Sequence, residues 1–563
     1  MNDYGAKGDG VTDDYQAIHK AIDDLKKRGG GTLNFPTGSY RIAAGAGRGI
    51  DSGGIELVDV KNVTIAFSPG AELLMDNLNA QLMGSQGHGV FIAGKSEGIT
   101  LQDVRVRWKQ KPTQRSQGDG IRILGSRTES LAPANIALIR VYVENTPQAG
   151  VVVMGAKNIA VTDLTVKNTG ADGLHFNACY EGIKVNGLNA ENTGDDGLAF
   201  VTYFDRVGND PQNGPFSSPD LTTRNNTGAI ASHIRVSGGL ADGVRIAGGC
   251  RIQLSDVSVD HKKVAGVVID SAVANGTTIK WSYLASRMIH IQGLQVRGCT
   301  LGFQVQSHNA PAGDADYYTF DVTGQDLSLN GSSKSNLFVS DAGGVALQNI
   351  AAGESTYPNY LQGVSNLSLK KGIFTGGGVL HVSGARTAYV GDLDQVIPNS
   401  NITLGEISID GAGVIFQELR VLNVSALRVS NSPGDAIQFV DVLDSAATDI
   451  NVSLPNRKGD TSGKVSALKL VRVRRFTLAG VSIQEDAMPI SSIEIGGGTA
   501  GPSRISTDIK ISGVRYSRQK DENTPDIVIQ GGPFAPLKYS IDLQYRNQSD
   551  NSPEWKNYSA SRK

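Results

Sequence analysis

Residues 166–200 read VKNTGADGLHFNACYEGIKVNGLNAENTGDDGLAF, and one short phrase occurs in them twice. The first copy is Asn168-Thr169-Gly170-Ala171-Asp172-Gly173-Leu174-His175-Phe176. The second is Asn192-Thr193-Gly194-Asp195-Asp196-Gly197-Leu198-Ala199-Phe200, at an offset of 24 (192 − 168). A weaker copy begins at Asn145, at a further offset of 23 (168 − 145). A fixed offset of this size is the mark of stacked structural repeats. In each copy Asn-Thr reads as a turn, and the apolar residues after it alternate, as in a short strand. Strands stacked in parallel lie about 4.8 Å apart. The stacking therefore sets Asp172 beside Asp196, with Asp195 adjacent. Three carboxylates in one place are costly unless they bind something or do chemistry.

The 563-residue chain is 39% apolar and 19% charged, with a formal net charge of −2. Its length alone points to several domains, but a repeat architecture grows by adding turns. Glycine is abundant, at 69 residues, which suits a turn at every coil corner. No Lys/Arg block marks a nucleic-acid partner. No apolar run approaches the length a membrane-crossing helix needs, so no membrane span is expected. Cys179, Cys250 and Cys299 are too few and too scattered for a disulfide framework or a metal site; they read as free interior thiols. No metal or cofactor is expected. The chain opens abruptly with Met-Asn-Asp-Tyr-Gly and shows no signal peptide. The expectation is that an export signal or upstream segment is missing, and that the protein is secreted, periplasmic or on a virion surface.

The opening, Asp3-Tyr4-Gly5-Ala6-Lys7-Gly8-Asp9-Gly10-Val11-Thr12-Asp13-Asp14, leads into a helix over 12–27. Thr12 can serve as its N-cap, with Asp13 and Asp14 in the first turn. Tyr15, Ile18, Ile22 and Leu25 form its apolar stripe, and Gly29-Gly30-Gly31 stops it. Asp9, Asp13 and Asp14 are read as structural. This opening resembles the start of pectin-lyase-like proteins. The resemblance implies an all-β, single-stranded right-handed parallel β-helix with an N-terminal capping helix.

On that reading, residues 1–545 are β-helix, with 1–42 as the cap, and 546–563 form a C-terminal tail or cap. The glycines before successive apolar strands are Gly120, Gly150, Gly173, Gly197, Gly243, Gly266 and Gly302, at steps of 30, 23, 24, 46, 23 and 36. The step of 46 reads as two coils of 23, one of them replaced by the polar loop 203–230. That loop and a second, 308–318, are expected to wall a cleft. Asp435, in Gly434-Asp435-Ala436, reads as a turn residue.

Alternation turns Leu174, Phe176, Leu198 and Phe200 inward, and His175 and Ala199 outward. Asp119 and Asp242 share the Asp172 column, and Arg122 and Arg245 share the His175 column. Asp before Gly is also a common turn residue, and a stacked aspartate column can simply bond turn amides. The wording of residues 168–200 resembles polygalacturonases, glycoside hydrolase family 28, which carry Asn-Thr-Asp-Gly, then Gly-Asp-Asp, then Gly-His-Gly, then Arg-Ile-Lys. Asp172 matches the first aspartate, Asp195 and Asp196 match the pair, and Arg245-Ile246-Ala247 matches the last motif. The Gly-His-Gly coil is absent and the lysine is Ala247.

In that family the arginine and lysine hold a uronate carboxylate, so the missing lysine points away from galacturonan and towards another, neutral sugar. The resemblance implies an inverting hydrolase acting on an oligo- or polysaccharide. Asp195 would be the acid, and Asp172 with Asp196 the base. Inverting sites separate acid and base by roughly 6.5–9.5 Å, which requires Asp195 to point away from Asp172. His175, Tyr203, Arg245, Asp242, Lys263 and Arg122 are the expected substrate contacts, with Tyr180 near His175. Lys262 and Lys263 are read as solvated, or otherwise as sugar ligands. The alternatives are a lyase or epimerase on the same fold, and a phage tailspike depolymerase or receptor-binding protein. Either a monomer or a homotrimer fits.

Overall fold

The computed structural model describes residues 1–45, 49–84, 87–206, 216–311, 313–376, 378–388, 391–454, 466–485, 493–496, 506–518, 527–529, 536, 538–547 and 555–563. The rest, including 207–215 of the expected cleft loop and 312 of the second, lie outside the described residues. The fold is a pectin-lyase-like right-handed parallel β-helix, and its contacts divide the chain into two units, Met1–Val322 and Thr323–Lys563.

In the first unit the N-terminal helix runs Tyr15–Arg28 and buries Ile18, Ala21, Ile22 and Leu25, one stripe at helical spacing. Gly29 ends it in the left-handed conformation, φ 79°, with its N–H on the Leu25 and Lys26 carbonyls. Lys26, Lys27 and Arg28 in the last turn suit the helix dipole. The N-cap is Asp14, not Thr12, because Asp9–Asp13 is a strand paired with Gly38–Ala43. The Asp14 carboxylate accepts from the Lys7 and Gly8 amides, at 2.6 and 3.1 Å. Asp9 accepts from Val11 and Thr12, and Asp13 from Tyr15 and Ala43. The three acids of the opening therefore hold backbone in place.

Strands Ile121–Leu124, Val151–Met154, Leu174–Asn177, Leu198–Val201, Val244–Ala247 and Ala265–Ala272 pair in parallel, each with the next. Ile121, Val151, Leu174, Leu198, Val244 and Val267 form one inward column. Ile123, Val153, Phe176, Phe200, Ile246 and Ile269 form the next, and all twelve are fully buried. Phe176 and Phe200 stack at 5.2 Å. Each such side chain contributes about 1.5–3 kcal/mol by leaving water, so a slip of one residue would reverse the whole stack.

The step of 46 is a single coil, not two. Leu198 pairs directly with Val244, and Lys184–Thr193 pairs directly with Ile230–Gly239. The extra length is an insertion into that coil, so no coil stands between the Gly-Asp-Asp turn and Arg245.

The second unit repeats the construction. Gly343–Gly353, Ser365–Thr375, Ile402–Asp410 and Leu422–Ser430 pair in parallel succession. Asp435 accepts from the Ser466 amide at 2.6 Å, as a turn residue should. Near the C-terminus Tyr539–Asn547 pairs antiparallel with Lys556–Arg562. No described helix is long and apolar enough to cross a membrane. The three cysteines are free and buried.

Candidate active site

The repeated phrase is a turn with a defined chemistry. Asn145, Asn168 and Asn192 all take the left-handed conformation, φ 53–59°, which asparagine tolerates better than most residues. The next residue, Thr146, Thr169 or Thr193, donates its hydroxyl to the carbonyl two residues on, at 2.6–3.0 Å. The second and third turns thus present Asp172 and Asp196 at the same height on the coil, where the first carries Ala149.

With Asp119 and Asp242, which also precede a glycine, those aspartates form a ladder. Asp119 Oδ1 accepts from the Ala149 amide (3.0 Å), Asp172 Oδ1 from Asp196 (3.0 Å), Asp196 Oδ1 from Asp242 (3.1 Å) and Asp242 Oδ1 from Ala265 (2.8 Å). Each carboxylate satisfies a turn amide of the following coil. Asp195 stands outside the ladder. Its carboxylate meets Arg115, Oδ2 to Nη1 at 2.6 Å, from 80 residues earlier in the chain. Carboxylate oxygens of Asp172, Asp195 and Asp196 all lie within 4.8 Å of one another. Asp195 therefore does not turn away from Asp172, as an inverting separation required. The reason is local: the carbonyl of Asp195 is fixed by Thr193 and by Lys262, which leaves the side chain over the cluster.

The environment drives the three carboxyls apart. Burial works to raise Asp172, but His175, whose Nδ1–H donates to Oδ2 at 2.9 Å, and the Asp196 amide outweigh it and hold the group below the ordinary range. Burial and then the Asp172 charge raise Asp195, against Arg115. Burial, with Asp172 and Asp242 beside it, raises Asp196 well above the ordinary range. Burial also pushes Asp242 up to about 6. One carboxyl shifted down beside others shifted up is the division acid–base catalysis needs. The same oxygen spacing also suits a hard divalent cation.

The triad opens into a cleft of about 620 Å³ lined also by Arg115, His175, Val201, Tyr203, Arg245 and Thr278, Ile279, Lys280, Trp281 and Tyr283. Its floor is the outward column His175, Ala199, Arg245 on adjacent strands. Tyr203 and Trp281 pack at 4.9 Å on one wall. Burial pushes the Tyr203 phenol up to about 12, so it remains a donor at neutral pH. Arg245 is engaged from below by Asp270, Nη2 to Oδ2 at 3.0 Å, and by the Tyr283 hydroxyl at 2.8 Å.

Of the expected site residues, Asp172, Asp195, Asp196, His175, Tyr203 and Arg245 converge. Asp242 sits behind the triad as the next rung of the ladder. Arg122 lies two strands from His175 and is tied to the buried Asp119 at 2.7 Å, off the cleft. Lys263 is exposed and does not line the cleft. Lys262 is not solvated: it is fully buried, and its ammonium donates to Thr193 Oγ1 and Asp195 O, both at 2.8 Å. Tyr180 does not join His175, because its hydroxyl is used by the Ser126 and Arg127 carbonyls.

Sequence reasoning missed Arg115, Asp270, Trp281 and Tyr283. Asp270 was findable by register, one coil beyond Ala247. Trp281 and Tyr283 lie in an insertion that the step of 36 between Gly266 and Gly302 marks. Arg115 lies between strands and carries no periodic signal.

A family model described as rhamnogalacturonase A/epimerase, pectate lyase-like, matches residues 1–202. Alginate lyase 7 of Azotobacter vinelandii is 56% identical over 45 residues, 8% of this chain and 5% of that protein. The chain thus spans only about a twentieth of that relative. YclG of Bacillus subtilis, an uncharacterised protein, is 24% identical over 176 residues, 31% of this chain and 25% of its own. Among solved structures, the family 28 exopolygalacturonase of Yersinia enterocolitica is 12% identical, with 85% of this chain and 77% of that one covered and a TM-score of 0.34. The family match covers the capped opening and both aspartate turns, residues 1–202, and beyond them the likeness to pectin-lyase-like proteins is one of fold.

Proposed function

We propose that the chain is a polysaccharide-acting enzyme, a glycoside hydrolase that cleaves by aspartate acid–base chemistry. The observation that carries the reading is that Asp195 adds a third carboxyl to a pair the fold already needs, and bonds no amide of the ladder. In the proposed reaction Asp195 gives its proton to the leaving glycosidic oxygen. Asp172, held ionised by His175, takes a proton from the attacking water, and Asp196 shares the hydrogen bonding of that water. The raised Asp195 carboxyl and the lowered Asp172 carboxyl suit those two roles.

The spacing of the oxygens is shorter than inverting sites usually have. Proton NMR of the first-formed anomer therefore tests inversion, and net retention would instead assign a nucleophile among the three. Release of new reducing ends from a panel of polysaccharides tests hydrolysis itself.

A second reading, elimination or epimerisation, is supported by the family match over residues 1–202, whose description names both epimerase and pectate lyase. His175 and Tyr203 would then move the proton beside a uronate carboxylate. Ultraviolet absorbance of an unsaturated product, without the hydrolytic anomer, would favour it.

A further inference from the structure

We propose that the sugar bound across Ala199 and Arg245 is neutral rather than a uronate, and that Asp270 is the residue that sets this choice; the proposal rests on the hydrolase reading above. Arg245 is the cation at the floor of the cleft, and it is already matched. Asp270 takes its Nη2 at 3.0 Å and its Nε at 3.4 Å, a side-on fork, and Tyr283 takes Nη2 at 2.8 Å. Tyr283 in turn donates to Asp270 Oδ2 at 3.2 Å. Asp270 is almost fully buried, so water does not compete for its side of the fork, and a sugar carboxylate would have to share an arginine that already has a carboxylate partner.

The second cation of the cleft, Arg115, is held by Asp195 at 2.6 Å. Of the lysine and arginine side chains among the described lining residues, Lys280 alone has no carboxylate partner, and it stands exposed at the rim. A uronate over Ala199 would bring a further negative charge next to the ionised Asp172, where the nearest cations, Arg115 and Arg245, already have carboxylate partners, and like charges at this range repel. A neutral sugar meets no such cost. Its hydroxyls can donate to the carboxylates and accept from Arg245 Nη1, which has no partner among the described residues. Its apolar face can lie on the wall of Tyr203 and Trp281. Ala247, one column over from Arg245, leaves Asp270 room in the next coil.

The test uses the full wild-type chain with thio-linked oligosaccharide analogues, which bind without turnover and leave Arg115 its Asp195 partner. Calorimetric titration compares neutral oligosaccharides (glucan, galactan, mannan and rhamnan fragments) with oligogalacturonate and oligoalginate. The expected result is binding of at least one neutral series, ten-fold or more tighter than either uronate series and insensitive to salt. Adding Asp270→Asn should release Arg245 and improve uronate binding at least ten-fold. Should that variant not fold, the salt dependence of the wild-type chain decides, because uronate recognition through Arg245 would weaken as sodium chloride rises. Tighter uronate binding, weakening with salt, overturns the inference. If the wild type then releases reducing ends from that uronate polymer, the hydrolase reading survives and the neutral-sugar inference alone has failed. A neutral polymer that binds but is never cleaved sinks the hydrolase reading alone. Binding of neither class overturns both.

Discussion

Replacing Asp195 with asparagine separates what the fold needs from what the chemistry needs. The backbone of residue 195 is held by its amide on Ala171 O at 3.1 Å and by its carbonyl, which accepts from Thr193 and Lys262. Asparagine keeps all three. The side chain loses one ion pair, with Arg115, whose partners are 53% and 33% exposed. Pairs this open are worth about 0–1 kcal/mol, so the melting temperature should scarcely move. Catalysis should not be spared. General acid catalysis contributes roughly 10²- to 10⁴-fold, or about 2.7–5.4 kcal/mol of barrier at about 1.36 kcal/mol per decade. The assay is reducing-end release on the polysaccharide that the panel identifies. It should be repeated on an aryl glycoside of the same sugar, whose leaving group needs no proton. The loss should shrink on the aryl substrate, and the alkaline fall of the wild-type pH profile should disappear from the variant. Near wild-type turnover on the natural substrate, or an equal loss on both, would refute the assignment of Asp195 as the acid.

Other variants probe the surroundings of that group. Asp196 has its folded pKa raised by burial and by Asp172, so its stability contribution is present below the unfolded value, about 3.9, and is lost as pH rises through the folded one. Asp196→Asn keeps the acceptor for the Asp242 amide and removes that loss, so its melting temperature relative to wild type should rise between pH 4 and 8 while activity falls. Asp119→Ala leaves the Ala149 amide, His88 and Arg122 without their buried partner. It should cost about 3–5 kcal/mol, read as a denaturant midpoint far below that of Asp195→Asn. Lys262→Met keeps length but strips the donor from Asp195 O and Thr193 Oγ1. It should cost about 1–3 kcal/mol and lower turnover by loosening the acid, and unchanged turnover would deny Lys262 that role.

The register of the site was legible because alternation and offset both had to be right for the core to close. The residues aligned by their preceding glycines, Ile121, Val151, Leu174, Leu198 and Val244, are the ones that pair. The step of 46 misled because an insertion happened to equal one further coil, and spacing alone cannot tell a loop from a coil. Thr12 was misread as a cap because the pairing of its strand with Gly38–Ala43 is not visible locally. Lys262 looked solvated because neighbouring lysines on a polar turn usually are. Its burial depends on Gly239, φ 92°, in the coil between. A Cβ there would stand 2.2 Å from Thr193 O and 3.0 Å from the Lys262 ammonium. Only a glycine lets the lysine pass under the turn, and that condition lies a whole coil away from the residue it governs.

The aspartate ladder also explains why the sequence left function and turn chemistry entangled. Asp119, Asp172, Asp196 and Asp242 each bond an amide of the following coil, so the pattern Asp-Gly would arise in this fold without any reaction. That structural duty is also what makes the site possible. A carboxylate already fixed by a backbone amide need not be ordered when substrate binds, and preorganised groups of this kind carry most of an enzyme's electrostatic advantage. The ladder ordered Asp172 and Asp196 for the sake of the coils. One further aspartate at position 195, fixed through its own carbonyl by Thr193 and Lys262, then adds a carboxyl with a raised pKa beside one with a lowered pKa. On the proposed mechanism the step from scaffold to acid–base pair thus takes one residue, Asp195, whose carboxylate bonds no turn amide of the ladder.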